Sequence, residues 1–303
     1  VVMDSKPEEE YEETWHKGRT FAQVLQASLS PPAPLWVWHN GQIVEEKEAV
    51  CPLRSPAVEY GFGVFETLRA DVGQPWFVQE HVHRMQSAWQ ELSGRSLPNV
   101  DWKAIIGHVL SVNAHTQTAA VKIFIGQDMG QDAICVSSRR YIHRLQDVGK
   151  KGLDLLTYPE PRQSPLASMK TANHLVYIQA GNWAKRHGKD EALILNPDGT
   201  LSETNSANLI VLFGSQAVLP ISEHVLPGIM QAKAVQALID LGWESVYQPL
   251  HIQDLGQAKG VLLTNSLVGV IMACSLDGHN LYQDRDTVHS LNRALFGFQP
   301  CRS

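Results

Sequence analysis

The sequence predicts an α+β fold built from two α/β subdomains, residues 35–144 and 145–303, behind an N-terminal segment of residues 1–34. Three observations lead there. An Asn-Gly pair at 40 and 41 sits between two apolar runs, the strongest short-range hairpin signal, and so starts a sheet. Helical patterns then alternate with short apolar strands. After the basic stretch "RRYIHRLQDVGKKG" a second strand-helix cycle begins. With 303 residues and 44% hydrophobic composition, the chain has enough apolar surface for a real core.

Taken in order, residues 1–30 open with Pro7 and three glutamates and then place Trp15, Phe21, Val24 and Leu25 at helical spacing, which predicts an amphipathic helix. "PPAP" at 31–34 stops it and reads as a stiff linker. "LWVWHNGQIVEE" gives the hairpin, "YGFGVFETLRA" a strand entered through two glycines, and residues 74–92 a strand turning into a helix. A helix over "VDWKAIIGHVLSVNA" precedes the strands "AAVKIFIG" and "DAICVSS". In the second half the pattern predicts strand "LDLLTYP", a helix over 169–187 closed by Gly188, strand "EALILN", turn "PDG" and strand "ANLIVLF". A helix over 229–241 closed by Gly242, and strand "KGVLLTNS", complete the reading.

A formal net charge of -6, with no cluster of Lys or Arg beyond a short pair, argues against nucleic-acid binding and toward small polar substrates. Cys51, Cys135, Cys274 and Cys301 are far apart and form no CxxC, so neither a metal site nor a disulfide framework is expected, which fits a reducing cytoplasm. The longest apolar runs, such as "ANLIVLF", fall far short of the roughly 20 residues a membrane span needs. No charged-then-apolar leader opens the chain, so a soluble, unexported protein is expected.

Several residues could carry chemistry. Lys170 in "SMKTANHL" falls in the first turn of the predicted helix, where unpaired backbone N–H groups would lower an amine's pKa and make it a better nucleophile. Taken alone, it reads as a solvated lysine. Glu203 precedes a strand too apolar to be exposed on both faces, so it needs a cationic partner or a place at a hairpin mouth. Gly228, after Pro227, opens a helix whose free N–H groups on Ile229 and Met230 would face an anion. Arg84 in "EHVHRM" could add charge-assisted bonds, and Asn265 and Ser266 end an apolar strand.

The motifs "YGFGVFETLR", "EHVHRM", "MKTANHL", "LSETNSANL", "LPGIM" and "LLTNSLVGV" stand in one chain order. That order resembles the fold-type IV pyridoxal-phosphate enzymes, which include branched-chain aminotransferases, D-amino acid aminotransferases and 4-amino-4-deoxychorismate lyases, over about residues 35–285. The resemblance implies two α/β subdomains with pyridoxal 5'-phosphate between them. It makes Lys170 the Schiff-base lysine, Glu203 the partner of the pyridine nitrogen and Arg84 a phosphate ligand. Gly228, Ile229 and Met230 would form the phosphate loop, Asn265 and Ser266 would close the cup, and Phe65 and His174 are candidate pocket residues. The segment "KIFIGQDMGQDAICVSS" has no arginine and no Arg-x-His, unlike D-amino acid aminotransferases, and lacks the longer glycine- and arginine-containing loop of some lyases.

"FGVFETLR", "KTANHL" and "LTNSLVGV" are more similar to lyase versions than to branched-chain aminotransferase ones. Residues 1–25 resemble the C-terminal end of aminodeoxychorismate synthase component I, where "DS-P--E--E" leads into a last helix, and this fits Val rather than Met at position 1. The expectation is a homodimeric lyase giving 4-aminobenzoate and pyruvate in folate synthesis, fused to or associated with the synthase. A branched-chain or related aminotransferase is the alternative, and a non-catalytic partner domain the third reading.

Overall fold

The computed structural model describes residues 34–147, 149 and 152–297. The predicted N-terminal helix, and the linker up to its last proline, lie outside them. The described residues from Trp36 onward form one compact unit that holds two sheets.

The first sheet takes its strands from β1 (Trp36–His39), β2 (Gln42–Glu45), β3 (Gly63–Asp71), β4 (Gln74–Pro75), β5 (Ala119–Asp128) and β6 (Gln131–Arg140), in the order β2-β1-β6-β5-β3-β4. Every pairing in it is antiparallel. Asn40 and Gly41 both have positive φ, 47° and 100°, as the predicted two-residue hairpin turn requires. Between β2 and β3 runs the one-turn helix α1 (Pro56–Glu59), and between β4 and β5 come α2 (Val78–Ser93) and α3 (Trp102–Val112). Met85 and Trp89 of α2 and Ile106, Val109 and Leu110 of α3 bury their side chains against Val64, Leu68, Val121, Ile123 and Ile125. The strand period of two therefore turns Phe65 and Thr67 of β3 to the opposite face.

After α4 (Arg144–Asp147) comes the second sheet. Its strands are β7 (Leu153–Thr157), β8 (Glu191–Leu195), β9 (Leu201–Thr204), β10 (Asn208–Phe213), β11 (Gln216–Pro220), β12 (Glu244–Gln248), β13 (Gly260–Asn265), β14 (Gly269–Leu276) and β15 (His279–Asn280). Their order is β12-β11-β10-β13-β14-β7-β8-β9, with β15 on β14. The pairs β11–β12, β14–β7 and β7–β8 are parallel and the rest antiparallel. Helices α5 (Leu175–Arg186), α6 (Ile229–Asp240) and α7 (Arg285–Phe296) pack on this sheet. One face of β10 and β13 meets α6 and α7 through Ile210, Leu212, Leu262, Leu238 and Leu291, and the other buries Leu209, Val211, Val261 and Leu263. Burial on both faces is why these strands read as continuous apolar runs. Among the described residues no helix is long and apolar enough to cross a membrane.

Two expectations need correction. The helix predicted over 169–187 begins at Leu175. Residues 170–172 instead pair with β3: Phe65 N donates to Lys170 O at 2.9 Å and Ala172 N to Gly63 O at 2.8 Å. Long-range pairing has overridden a segment with good helical spacing. Also, the "PDG" turn joins β8 to β9, a strand whose four residues are all buried, rather than to "ANLIVLF". Strands β9, β11, β12, β14 and β15, and helices α1, α4 and α7, have no counterpart in the sequence reading.

Candidate active site

Lys170 sits on the short extended connection held against β3, and its neighbours Met169 and Thr171 are buried. Its amine lies 4.7 Å from the centroid of the Phe65 ring. Burial pulls its pKa down to about 8, and the charges of Arg84 and Lys122 add to this against the opposing carboxylates Glu66 and Glu203. The lowered pKa expected from sequence is present, but desolvation causes it. The N-terminus of α5 lies five residues further on.

Glu203 lies within β9, 4% exposed. The Tyr177 hydroxyl donates to its Oε1, Asn208 Nδ2 to its Oε2 at 3.4 Å, and Arg162 Nη1 stands 3.5 Å from Oε1. Burial raises its pKa to about 7 in spite of these partners. The sequence reading left open a cationic partner or a hairpin mouth for this carboxylate; it lies in the β8–β9 hairpin with Arg162 as a nearby cation. His174, packed edge-on against Phe65 at 5.2 Å between ring centroids, is held neutral by burial and the nearby cations, with its pKa down to about 4.

Arg84 projects from α2, and its guanidinium is already engaged. Nε and Nη2 both bond Glu66 at 2.7 Å, and Nη1 donates to Pro227 O at 2.7 Å. Glu66 sits on the buried parity of β3 with Val64 and Leu68, and His81 Nδ1 contacts its Oε2 at 2.7 Å. Burial pushes the Glu66 carboxyl up, but the bonds to His81 and Arg84 outweigh it and hold the group below the usual range. Arg84 thus braces the backbone just before Gly228. Gly228 caps α6, and a Cβ there would lie 2.0 Å from Asn208 Oδ1. Only glycine lets the loop approach β10 this closely. Asn265 is also committed: its Oδ1 accepts from Leu267 N and Val268 N, and its Nδ2 donates to Ser206 O.

All eight residues singled out from sequence, Arg84, Lys170, Glu203, Gly228, Ile229, Met230, Asn265 and Ser266, line one cavity of about 340 Å³, as do Phe65 and His174. Sequence reasoning missed Glu66, His81, Tyr177, Arg162 and Asn208. The available signal was parity, since a carboxylate at 66 shares the inward face of β3 with two apolar residues.

Residues 63–276 match the family described as Amino-transferase class IV. The chain belongs to that family. A putative branched-chain-amino-acid aminotransferase of Methanocaldococcus jannaschii is 25% identical over 259 residues, 80% of this chain and 88% of the relative. The branched-chain-amino-acid aminotransferase of Escherichia coli K12 is 24% identical over 285 residues, 86% and 92% of the two chains. Among solved structures, the branched-chain aminotransferase of Thermoproteus uzoniensis with norvaline superposes with a TM-score of 0.80 at 19% identity, covering 88% of this chain and 96% of that one. A hypothetical aminotransferase from Mycobacterium tuberculosis in its PLP-bound form gives 0.77 at 19%, covering 86% and 99%. The fold is therefore that of the class IV, fold-type IV aminotransferases.

Proposed function

We propose that this class IV enzyme uses pyridoxal phosphate to remove a proton from the amine-bearing carbon of a small anionic substrate, and that it converts 4-amino-4-deoxychorismate to 4-aminobenzoate and pyruvate. The observation that carries the reading is the pairing of Lys170 and Glu203 on one cavity, with pKa values brought to about 8 and about 7. A cavity holding a near-neutral amine and a buried carboxyl is suited to proton transfer near neutral pH.

The cavity fits the family's cofactor. An amine, a buried carboxylate and the N-terminus of α6 line it, and that helix end with its free N–H groups suits a phosphate. Lys170 would hold the cofactor, Glu203 its ring nitrogen, and Gly228, Ile229 and Met230 its phosphate, with Asn265 and Ser266 closing the cup. The cofactor supplies an electron sink conjugated to the substrate amine. In this reading Arg84, paired with Glu66, positions the phosphate loop through Pro227.

Lys170, released when the substrate amine takes its place, would act as the base at C4 of the ring. Glu203 would keep the ring nitrogen positive, and Tyr177 and Asn208 would keep the Glu203 carboxylate oriented. Breaking the bond to the enolpyruvyl oxygen makes the ring aromatic, and Lys170 would return its proton to the departing group, which leaves as pyruvate.

Support for the lyase comes from the motif versions in "FGVFETLR", "KTANHL" and "LTNSLVGV", and from the tail resembling the synthase, which we propose is fused or associated with this homodimeric enzyme. A second reading has its own support: the relatives named above are branched-chain aminotransferases, and those names favour transamination over lysis. The holoenzyme supplied with enzymatically generated aminodeoxychorismate should release equimolar 4-aminobenzoate and pyruvate. Glutamate formed from an amino acid and 2-oxoglutarate, without aminobenzoate, would replace the lyase by the transaminase. Lys170→Ala should abolish both turnover and the absorbance of lysine-bound cofactor.

A further inference from the structure

A second, larger hollow of about 830 Å³ adjoins the lysine cavity, and His174, Tyr177 and Asn265 are among the residues that line both. Its walls carry Arg139 and Arg140 from the end of β6 and Lys185 and Lys189 from the end of α5 and the turn beyond. None of these four side chains has an ion pair or side-chain hydrogen bond among the described residues. A fifth cation in the wall, Arg144, is spent on the buried carboxylate of Glu191 and on Ser206 Oγ. Among the described residues the one acid lining the hollow, Asp190, accepts from the backbone N–H of Asp154.

Arg139, Arg140, Lys185 and Lys189 give one concavity a basic lining that the bulk charge of -6 does not lead one to expect. Like charges brought together repel, and low-dielectric walls focus their field into the hollow. Among the described residues no carboxylate pairs with any of the four, so the hollow is suited to an anion. The hollow opens onto the cavity of Lys170 from the side of His174 and Tyr177. A substrate whose amine-bearing carbon reaches Lys170 can therefore keep a distant carboxylate in the basic hollow.

We propose that this hollow is the subsite for the second carboxylate of a dianionic substrate, so the enzyme selects amino dicarboxylates over apolar amino acids. The assignment rests on the proposed function for its amine chemistry, and it narrows the substrate class. An amino-cyclohexadiene dicarboxylate meets the requirement; a branched-chain amino acid has no group to place there.

The test uses the holoenzyme and two non-reacting probes, isophthalate as a rigid dianion and benzoate as the monoanion, with binding followed by calorimetry at low and high salt. Isophthalate should bind about tenfold or more tightly than benzoate, with a preference that shrinks as salt rises. The variant Arg139→Gln/Arg140→Gln/Lys185→Gln/Lys189→Gln should lose most of that preference while binding benzoate as before. Removing two cations outside the hollow, Lys103→Gln and Arg285→Gln, should leave the preference in place, which separates a local site from a net-charge effect. Equal binding of the two probes, or a preference untouched by the fourfold variant, would overturn the proposal. Turnover distinguishes the two ideas. Dianion preference without lyase or transaminase activity removes the functional reading and keeps the subsite. Lyase activity whose KM is unchanged in the fourfold variant keeps the function and removes the subsite.

Discussion

Lys170 and Glu203 have been moved toward each other in acidity by the same cause, removal from water. Two measurements follow at this scale. Cofactor-free protein should capture pyridoxal phosphate at a rate that climbs with pH and levels off above about 8, because only the neutral amine of Lys170 attacks. An ordinary lysine would still be gaining rate near its usual pKa of 10.5. Glu203 has a folded pKa raised from 4.5 to about 7, so its share of stability is present below the lower value and lost as pH rises through the higher one. Glu203→Gln in the cofactor-free protein should therefore flatten the stability profile between those pH values, by about 3 kcal/mol at most, as read by urea unfolding. Lys170 and Glu203 were reachable from sequence through motif order. Glu66 was legible only by its parity on β3, because its neighbours in "FETLRA" give no sign of the two cations that approach it from α2.

At the scale of the element, α6 and the loop before it are tuned by exclusion. Gly228→Ala would place a methyl group 2.0 Å from Asn208 Oδ1, and the loop or β10 would have to move. A cost of about 1–3 kcal/mol is expected in unfolding experiments. Dialysis should also strip cofactor from this variant faster than from the parent. Helix α6 itself was plain in the sequence, from a Pro-Gly start to a Gly242 stop with φ of 89°. The start of α5 was not. Nothing in "MKTANHLV" breaks a helix, and the partner that holds it extended, β3, lies about a hundred residues earlier. Strand β9 escaped notice because "LSET" is largely polar, although all four residues are buried. Its polarity serves a network in which Thr204 and Ser206 satisfy Glu191.

Across the whole molecule, the two sheets are tied by polar side chains as well as by packing. Arg69, 2% exposed, bonds both carboxylate oxygens of Asp71 and sends Nη1 to Leu267 O at 3.0 Å, joining β3 to the turn between β13 and β14. Arg69→Met should cost about 3 kcal/mol in chemical denaturation, because Asp71 keeps its charge in a partly buried site without its strongest partner. Such ties join residues nearly two hundred positions apart, so alternation of apolar residues could outline each sheet but not how they are linked. Strand β3 carries one more consequence. Phe65 fixes the backbone of Lys170, and the very next residue, Glu66, fixes Arg84 and through it Pro227. With the cofactor held as proposed, both of its ends would be referred to adjacent residues of a strand that cannot stretch. The enzyme holds a gauge of fixed length, and a ring without its phosphate would reach only one of its two jaws.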